Sequence, residues 1–269
     1  MGARSLAAVV LLSFVSTTAP SSVAAAPDRF DAVVIDAGHG GEDHGARGAH
    51  GLVEKQLVLD VSKRLAKRLR ARGLRVTMTR QADVFVPLEQ RTSIANDARA
   101  DLFISIHANS ASSAGARGSE TYFVSLQASD ESAREVALRE NEAFAASASR
   151  VESDPLVALL GDMIATEHVN ESSEFARLAE AELSELRWVP SRGVKQAPFV
   201  VLMGVQMPAS LIEIGFLSNA DEEKALHDEP QRDALAEALA RAVVAFAERY
   251  DGRRGVEPTA ATTLGRAGR

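Results

Sequence analysis

Two histidines lie where a metal-dependent hydrolase would need them. His39 follows the apolar run of residues 32–36 in the segment VVIDAGHGGEDHG, and His107 follows the apolar run of residues 102–106. Both runs are typical of buried strands, and the carboxyl ends of parallel strands meet at one edge of a sheet, where ligands bind. Two histidines and one carboxylate make the open, three-ligand zinc site of a hydrolase. Because the chain contains no cysteine, any metal must be held by His, Asp or Glu.

Glu54 is the best candidate for that carboxylate. It follows His39 across a glycine-rich loop and lies near the start of a predicted helix, so the loop can turn back toward the histidine. The alternative is a carboxylate that interacts favourably with the N-terminal end of the helix dipole. The spacing alone leaves both interpretations open.

Glu213 is an acid inside the otherwise apolar segment ASLIEIGF. A buried carboxylate without a partner is costly, which indicates a purpose. In a zinc hydrolase that purpose is general base catalysis, since the metal makes its bound water acidic and a separate group must take the proton. The alternative is a structural carboxylate bonded to Arg192 or to a backbone donor.

Other catalytic motifs are missing from the sequence. The glycines around His39 match neither the phosphate-binding pattern G-x-x-x-x-G-K-[ST] nor the dinucleotide pattern G-x-G-x-x-G. No H-E-x-x-H or G-x-S-x-G segment occurs. Metal-assisted hydrolysis is therefore the chemistry that the residues favour.

The elements that must position these residues alternate between strand and helix. This order predicts a single-domain α/β fold of the phosphorylase/hydrolase-like kind, with a mostly parallel central sheet flanked by helices. We predict strands at residues 32–36, 74–79, 102–106, 119–125, 200–202 and 209–214, and helices at residues 53–72, 87–98, 172–188 and 230–250. Ser172 is the expected N-cap of the third helix.

The two ends of the chain differ in composition and apolar pattern from the domain between them. Residues 1–26 have one arginine, a short apolar run and an Ala-rich exit, which is typical of a secretory signal peptide; an uncleaved membrane anchor is the alternative. We therefore expect an exported protein of the periplasm or cell envelope, with a catalytic domain at residues 27–251. Residues 252–269 lack apolar periodicity and are predicted to be a disordered tail.

The charge of the chain argues against nucleic-acid binding. Its formal net charge is −7, and loss of the one arginine in residues 1–26 makes it −8. An acidic surface repels phosphate backbones, so no nucleic-acid partner is expected. Residues 128–176 are rich in Ala, Ser and Glu with a thin apolar face, and we predict a helical insertion that lies outside the core.

Several motifs together resemble one enzyme family. They are VVIDAGHGGED, VEK at residues 53–55, TR at 79–80, LEQRT at 88–92, AN at 95–96, ADLFISIHAN at 100–109, GVKQA at 193–197 and LIEIGFLSN at 211–219. In this order they resemble the zinc-dependent N-acetylmuramoyl-L-alanine amidases (the amidase_3 type) that separate daughter cells by cutting peptidoglycan. The resemblance extends over residues 32–250. The family often has proline where this chain has Ala37 and His44.

The resemblance implies roles for the candidate residues. His39, Glu54 and His107 would hold one Zn²⁺ per chain, and Glu213 would be the catalytic base that later protonates the leaving amine. Lesser roles near the metal, in orienting the imidazoles or in positioning water or substrate, are implied for Asp36, Asn109 and Gln196. The implied reaction is hydrolysis of the amide between N-acetylmuramic acid and L-alanine.

The insertion resembles a segment that keeps some family members inactive until an activator protein binds. In those enzymes a helix covers the active site and offers a glutamate to the zinc. Glu140, Glu142 and Glu152 are the candidates here. The alternative is a solvated acidic helix that does not reach the metal.

Two other functions stay open at this stage. One is another zinc peptidase or carboxypeptidase on a similar fold, although the glutamate at the end of a strand favours the amidase. The other is a non-catalytic wall-binding protein, which the complete set of ligands and base argues against. We expect a monomer that acts on peptidoglycan.

Overall fold

The computed structural model describes residues 29–142 and 166–256. The predicted signal peptide, residues 257–269 of the predicted tail, and Glu152 lie outside the described residues. The strands are β1 (Ala32–Ala37), β2 (Arg75–Met78), β3 (Leu102–Asn109), β4 (Ser119–Val124), β5 (Ser191–Ala197) and β6 (Ala209–Phe216). The helices are α1 (Glu54–Ala71), α2 (Leu88–Ala98), α3 (Glu131–Glu140), α4 (Thr166–Ser184), α5 (Val200–Met203), α6 (Ala220–His227) and α7 (Glu229–Arg253).

The six strands form one sheet in the order β2-β1-β3-β6-β4-β5. The first four run parallel to one another, and β4 pairs antiparallel with β6 and parallel with β5. In this register His107 on β3 lies directly opposite Glu213 on β6. The sheet therefore places the two residues side by side at its carboxyl edge.

Helices cover both faces of the sheet. One apolar cluster joins it to α1, α4 and α7 through side chains such as Leu65, Phe175 and Phe246. A second cluster joins the opposite face to α2, α3 and α5 through side chains such as Ala95, Val136 and Val201. The predicted single-domain α/β fold is confirmed. Among the described residues, no helix has the combination of length and apolar character that spanning a membrane requires.

Some predicted elements are wrong in detail. The run at residues 200–202 is the short helix α5, not a strand, because a short apolar run carries no period that separates the two. Strand β5, on the sheet edge, was not predicted because its sequence SRGVKQA does not alternate apolar and polar residues. Helix α6 was not predicted either.

The third predicted helix starts earlier than expected. Helix α4 begins at Thr166, so Ser172 lies inside it and is not its N-cap. The Ser172 hydroxyl donates to the carbonyl of His168 and accepts the Ala209 amide, which ties the helix to β6. The end of the predicted insertion at Ala176 therefore falls within a continuous helix.

The insertion is also more tightly packed than predicted. Helix α3 buries Ala133, Val136 and Ala137 in the second apolar cluster. The expectation that the segment lies outside the core is wrong for this helix, because three small or branched residues on one face suffice to dock it. Its last residue, Glu140, is thereby held at the carboxyl edge of the sheet.

Candidate metal centre

Four side chains from separate elements converge at the carboxyl edge of the sheet. His39 follows β1, Glu54 begins α1, His107 lies near the end of β3, and Glu140 ends α3. One ligand atom from each lies within 4.8 Å of all the others. Glu54 Oε1 is 2.9 Å from His39 Nε2 and 3.1 Å from His107 Nδ1. Glu140 Oε2 is 3.3 Å and 2.9 Å from the same two nitrogens.

Backbone geometry makes room for this convergence. His39 has φ 57°, a left-handed conformation that non-glycine residues rarely adopt and that concentrates at functional sites. A Cβ on Gly38 would lie 2.4 Å from His107 Cε1, and a Cβ on Gly45 would lie 2.4 Å from Glu54 Oε2. Both glycines are therefore required for the side chains to approach one another.

The unpaired atoms in the cluster indicate a bound cation. His39 Nε2 and Glu140 Oε2 are buried and have no hydrogen-bond partner in the described part of the chain, although both lie close to other polar atoms. They point toward a common centre and not along hydrogen-bonding directions. Two imidazoles and two carboxylates are a ligand set that suits Zn²⁺. The residues therefore fit a divalent metal ion.

Charges within the cluster shift its pKa values strongly. Burial lowers the pKa of His107, but the carboxylates of Glu140 and Glu54 outweigh that effect and raise it to about 10. Burial also lowers the pKa of His39, but the charge of Glu54 and the hydrogen bond to Asp43 outweigh that effect and raise this pKa well above its usual value. Burial raises the pKa of Glu140, but the imidazoles bring it down to about 2. Without metal, the imidazoles are cations and the carboxylates are anions.

Asp43 orients the first histidine, a role that the sequence did not reveal. Its Oδ2 lies 2.9 Å from His39 Nδ1, so the other ring nitrogen faces the cluster. Asp43 Oδ1 also accepts the Gly45 amide at 3.1 Å. Asp43 follows His39 at i+4, a spacing that brings side chains together in a helix. In a loop the same spacing does not predict a contact, so the sequence did not indicate this hydrogen bond.

Asp36 does not orient an imidazole, so the role implied for it is corrected. It is buried and accepts hydrogen bonds from Thr79 at 2.6 Å, Ser105 at 2.8 Å and Arg91 at 2.7 Å. Arg91 in turn donates to the backbone carbonyls of Ala37 at 2.7 Å and His39 at 2.8 Å. Asp36 therefore positions the His39 backbone through a buried guanidinium.

A second buried arginine supports the same loop. Arg80 donates to the carbonyls of Ala37, Gly38 and Lys55 at 2.7–2.8 Å. These bonds satisfy backbone groups that the turn after β1 leaves unpaired. Arg80 of the TR motif and Arg91 of the LEQRT motif are thus the two cations that hold the loop after β1, which we call the metal loop.

Asn109 does not orient an imidazole either, and the role implied for Gln196 stays a prediction. The Asn109 amide donates to Glu120 at 3.1 Å, and its carbonyl accepts from Arg139 at 2.6 Å, so it contacts the helix that carries Glu140 and neither imidazole. Gln196 lies on the edge strand β5, where its backbone bonds Ser129. Among the described residues, no hydrogen bond joins its side chain to the cluster.

Glu213 is buried without any partner. It is 0% exposed, and neither carboxylate oxygen has a hydrogen-bond partner in residues 29–142 and 166–256. Burial raises the pKa of Glu213 well above its usual value, and the nearby charge of Glu140 raises it further. Arg192 bonds Glu120 at 2.7 Å, not Glu213, so the alternative of a structural ion pair fails. An unpaired acid beside the cluster suits proton transfer.

A cavity of about 700 Å³ opens beside the cluster. Three of the four clustered residues line it. Other lining side chains lie at its rim: Glu42, Asp43, His44, Phe85, Arg139 and Glu142. His44 is not one of the four clustered residues. Glu142, one of the predicted inhibitory carboxylates, is exposed at the rim.

The buried pair of Asp36 and Arg91 should be important for stability. Asp36→Ala leaves a buried guanidinium without its counter-ion, and we expect the free energy of unfolding to fall by about 3–5 kcal/mol. Urea denaturation at pH 7 measures this. The control is Asp31→Ala, which removes an exposed pair with Arg75 at 2.6 Å and should cost less than about 1 kcal/mol. Equal losses in the two variants would contradict the assignment.

Metal affinity should depend steeply on pH. Because the pKa of His107 is about 10 and that of His39 is also raised, both imidazoles must lose a proton before they bind a cation. Affinity for Zn²⁺ should therefore fall as pH falls, by up to about 100-fold per pH unit between pH 8 and pH 6. Competition with a chromophoric chelator at several pH values measures this affinity. An affinity that does not change between pH 6 and pH 8 would refute the prediction.

Comparison with known proteins identifies the family. The family described as N-acetylmuramoyl-L-alanine amidase matches residues 33–245. AmiC of Neisseria meningitidis is 37% identical over 214 residues, and the chain spans about half (51%) of that protein's length. AmiA of Escherichia coli is 33% identical over 225 residues, which cover 82% of this chain and 78% of that protein. An amidase structure from Clostridium difficile 630 has a TM-score of 0.63 at 28% identity, covering 82% of this chain and 98% of that one. The chain belongs to the N-acetylmuramoyl-L-alanine amidase family of peptidoglycan hydrolases.

Proposed function

We propose that the chain is a zinc-dependent amidase that cuts the bond between N-acetylmuramic acid and L-alanine, and that it is held inactive by its own helix α3. The observation that carries the proposal is the unpaired Glu213 carboxyl group beside the cluster of His39, Glu54 and His107. A ligand set without a base would only store metal, and a base without ligands would lack an activated water.

The residues divide the work between binding and proton transfer. His39, Glu54 and His107 would hold the zinc, which when bound makes water acidic near neutral pH and polarises a carbonyl group. Glu213 takes the proton of the attacking water as the carbon–oxygen bond forms. It then gives that proton to the nitrogen of L-alanine as the carbon–nitrogen bond breaks. Burial raises its pKa, and a carboxylate with a raised pKa is a stronger base toward the proton of water.

The reaction is tested with purified protein and muropeptides. With the Glu140→Ala variant, which lacks the covering carboxylate, we expect release of free stem peptides from intact glycan, loss of this activity with EDTA, and recovery with Zn²⁺. Cleavage inside the peptide would favour another zinc peptidase. Binding to the wall without cleavage, in a variant freed of the Glu140 carboxylate, would favour a non-catalytic protein.

Glu213→Gln should separate catalysis from metal binding. The amide keeps the size of the side chain but cannot accept the proton of water, so we expect kcat to fall about 10²–10⁴-fold. Zinc content measured by atomic absorption should stay at one ion per chain, since Glu213 is not one of the clustered residues. Loss of the zinc together with activity would make Glu213 a ligand.

Autoinhibition is supported by the placement of Glu140. Its Oε2 lies 3.3 Å from His39 Nε2 and 2.9 Å from His107 Nδ1, so it would supply a fourth ligand in the position that a zinc hydrolase leaves open for water. The residues on either side fasten it: Arg139 donates to Asn109 at 2.6 Å, and Asn141 bonds the Pro198 carbonyl at 2.8 Å and the Val200 amide at 2.9 Å. We define Arg139, Glu140 and Asn141 as the latch.

Opening the latch should raise basal activity. We expect Glu140→Ala to raise it between about 5-fold and 150-fold, the range of typical coupling free energies. Arg139→Ala and Asn141→Ala each remove hydrogen bonds that favour the closed state and should raise it about 2–10-fold. Glu135→Ala, an exposed change on the same helix, is the matched control. Unchanged activity in all three latch variants would remove the autoinhibition. Point variants are preferable to deletion of the segment, because α3 is part of the core.

The biological setting follows from this chemistry. An enzyme that cuts peptidoglycan must reach the wall, which agrees with the predicted signal peptide and a location in the periplasm or cell envelope. We propose a role in wall remodelling and daughter-cell separation, in which an activator protein displaces the latch. We further propose that the protein acts as a monomer. Sedimentation of the purified protein, with and without the wall fraction, tests the last point.

A further inference from the structure

Two apolar side chains are exposed beside the metal cluster. Val84 is 49% exposed and Phe85 is 41% exposed, and they are adjacent in the loop that follows β2. Phe85 also lines the cavity that His39 and Glu54 border. We call Val84 and Phe85 the shelf. Neither the metal cluster nor the latch accounts for an aromatic ring presented at this rim.

The shelf is held rigidly. Asp83, just before it, accepts the Gly41 amide at 2.8 Å and pairs with Lys55 at 2.8 Å. Just after it, the Val86 carbonyl accepts from Arg91 at 2.8 Å. A Cβ on Gly41 would lie 2.7 Å from the Phe85 backbone nitrogen, so the metal loop and the shelf pack backbone to backbone. The backbone that carries the exposed ring is therefore held against the loop of His39.

The order of the strands says which half of the substrate faces the shelf. Along the carboxyl edge, β2 and β6 lie on opposite sides of β1 and β3, which position the two histidines. Glu213 lies on β6, and the shelf follows β2. This step depends on the proposed function: if Glu213 protonates the leaving nitrogen, the stem peptide lies on the β6 side. The acyl half of the substrate, with its sugar, then lies on the β2 side.

We propose that Phe85 determines specificity for the muramoyl sugar by packing against the C–H face of its pyranose ring. The faces of an aromatic ring are electron-rich and favour contacts with the weakly positive hydrogens of C–H groups. The contact also removes the exposed part of the ring from water. It forms equally in the bound substrate and in the transition state, so its loss changes KM and not kcat.

The test compares two substrates of the Glu140→Ala enzyme, in which the latch is open. One is N-acetylmuramoyl-L-alanyl-D-isoglutamine, and the other is the same dipeptide acylated by lactic acid without the sugar. We expect the additional change Phe85→Ser to lower kcat/KM for the sugar-bearing substrate roughly 10-fold, through KM. The rate with the lactoyl peptide should stay the same, and Phe85→Tyr should retain the preference for the sugar. Zinc content should not change in either variant.

A matched control uses another exposed apolar side chain. Leu126 is 54% exposed and lies just past the end of β4, away from the cavity, and Leu126→Ser should leave both rates unchanged. Equal losses with both substrates after Phe85→Ser would place the shelf on the peptide or lactyl side and overturn the proposal, and so would no loss with either. If the Glu140→Ala enzyme with zinc hydrolyses neither substrate, the proposed function itself fails and the sugar contact falls with it.

Discussion

The buried ion pair between Asp36 and Arg91 supports the rest of the site. A guanidinium removed from water requires a counter-ion and a full set of acceptors, and Asp36 and the carbonyls of Ala37, His39 and Val86 supply them. The same four bonds fix the end of β1, hold His39 in its left-handed conformation, and fasten the loop of the shelf. Strain of about 1–3 kcal/mol at such a residue persists only when its surroundings hold it. The geometry of the cluster therefore depends on this buried cation, together with Arg80, which bonds the carbonyls of Ala37 and Gly38.

Two glutamates on facing strands show how neighbouring charges set chemical character. Glu120 on β4 and Glu213 on β6 are cross-strand partners, and both are fully buried. Glu120 is bonded to Arg192 and Lys195. These two cations lower its pKa against the effect of burial and so favour the ionised carboxylate. Glu213 has no such partner, so burial and the nearby carboxylates raise its pKa. Within one sheet, Glu120 is therefore structural, and Glu213 has the unpaired carboxyl group that the proposed proton transfer requires.

How much of this could be predicted from the sequence depends on the range of the interactions. The apolar periods of β1 and β3 are local, so the approach of His39 and His107 followed from parallel strands that end at one edge. For Glu54, at the start of α1, the spacing left two interpretations open. The buried acid in β6 was equally visible. The partners of Asp36 and Asn109 are arginines far away in sequence, and spacing carries no information about them. Whether Glu140 or Glu142 reaches the cluster depends on where α3 ends and on which face of α3 packs against the core. A thin apolar pattern determines neither.

We propose that one zinc ion binds where His39, Glu54, His107 and Glu140 converge. Crystals of the zinc-loaded protein, measured above and below the zinc absorption edge, test it most directly. We expect a single anomalous peak bonded to His39 Nε2, His107 Nδ1 and one oxygen each of Glu54 and Glu140, with Glu213 outside bonding distance. A peak elsewhere, no peak at full zinc loading, or a zinc bound by Glu213 would contradict it.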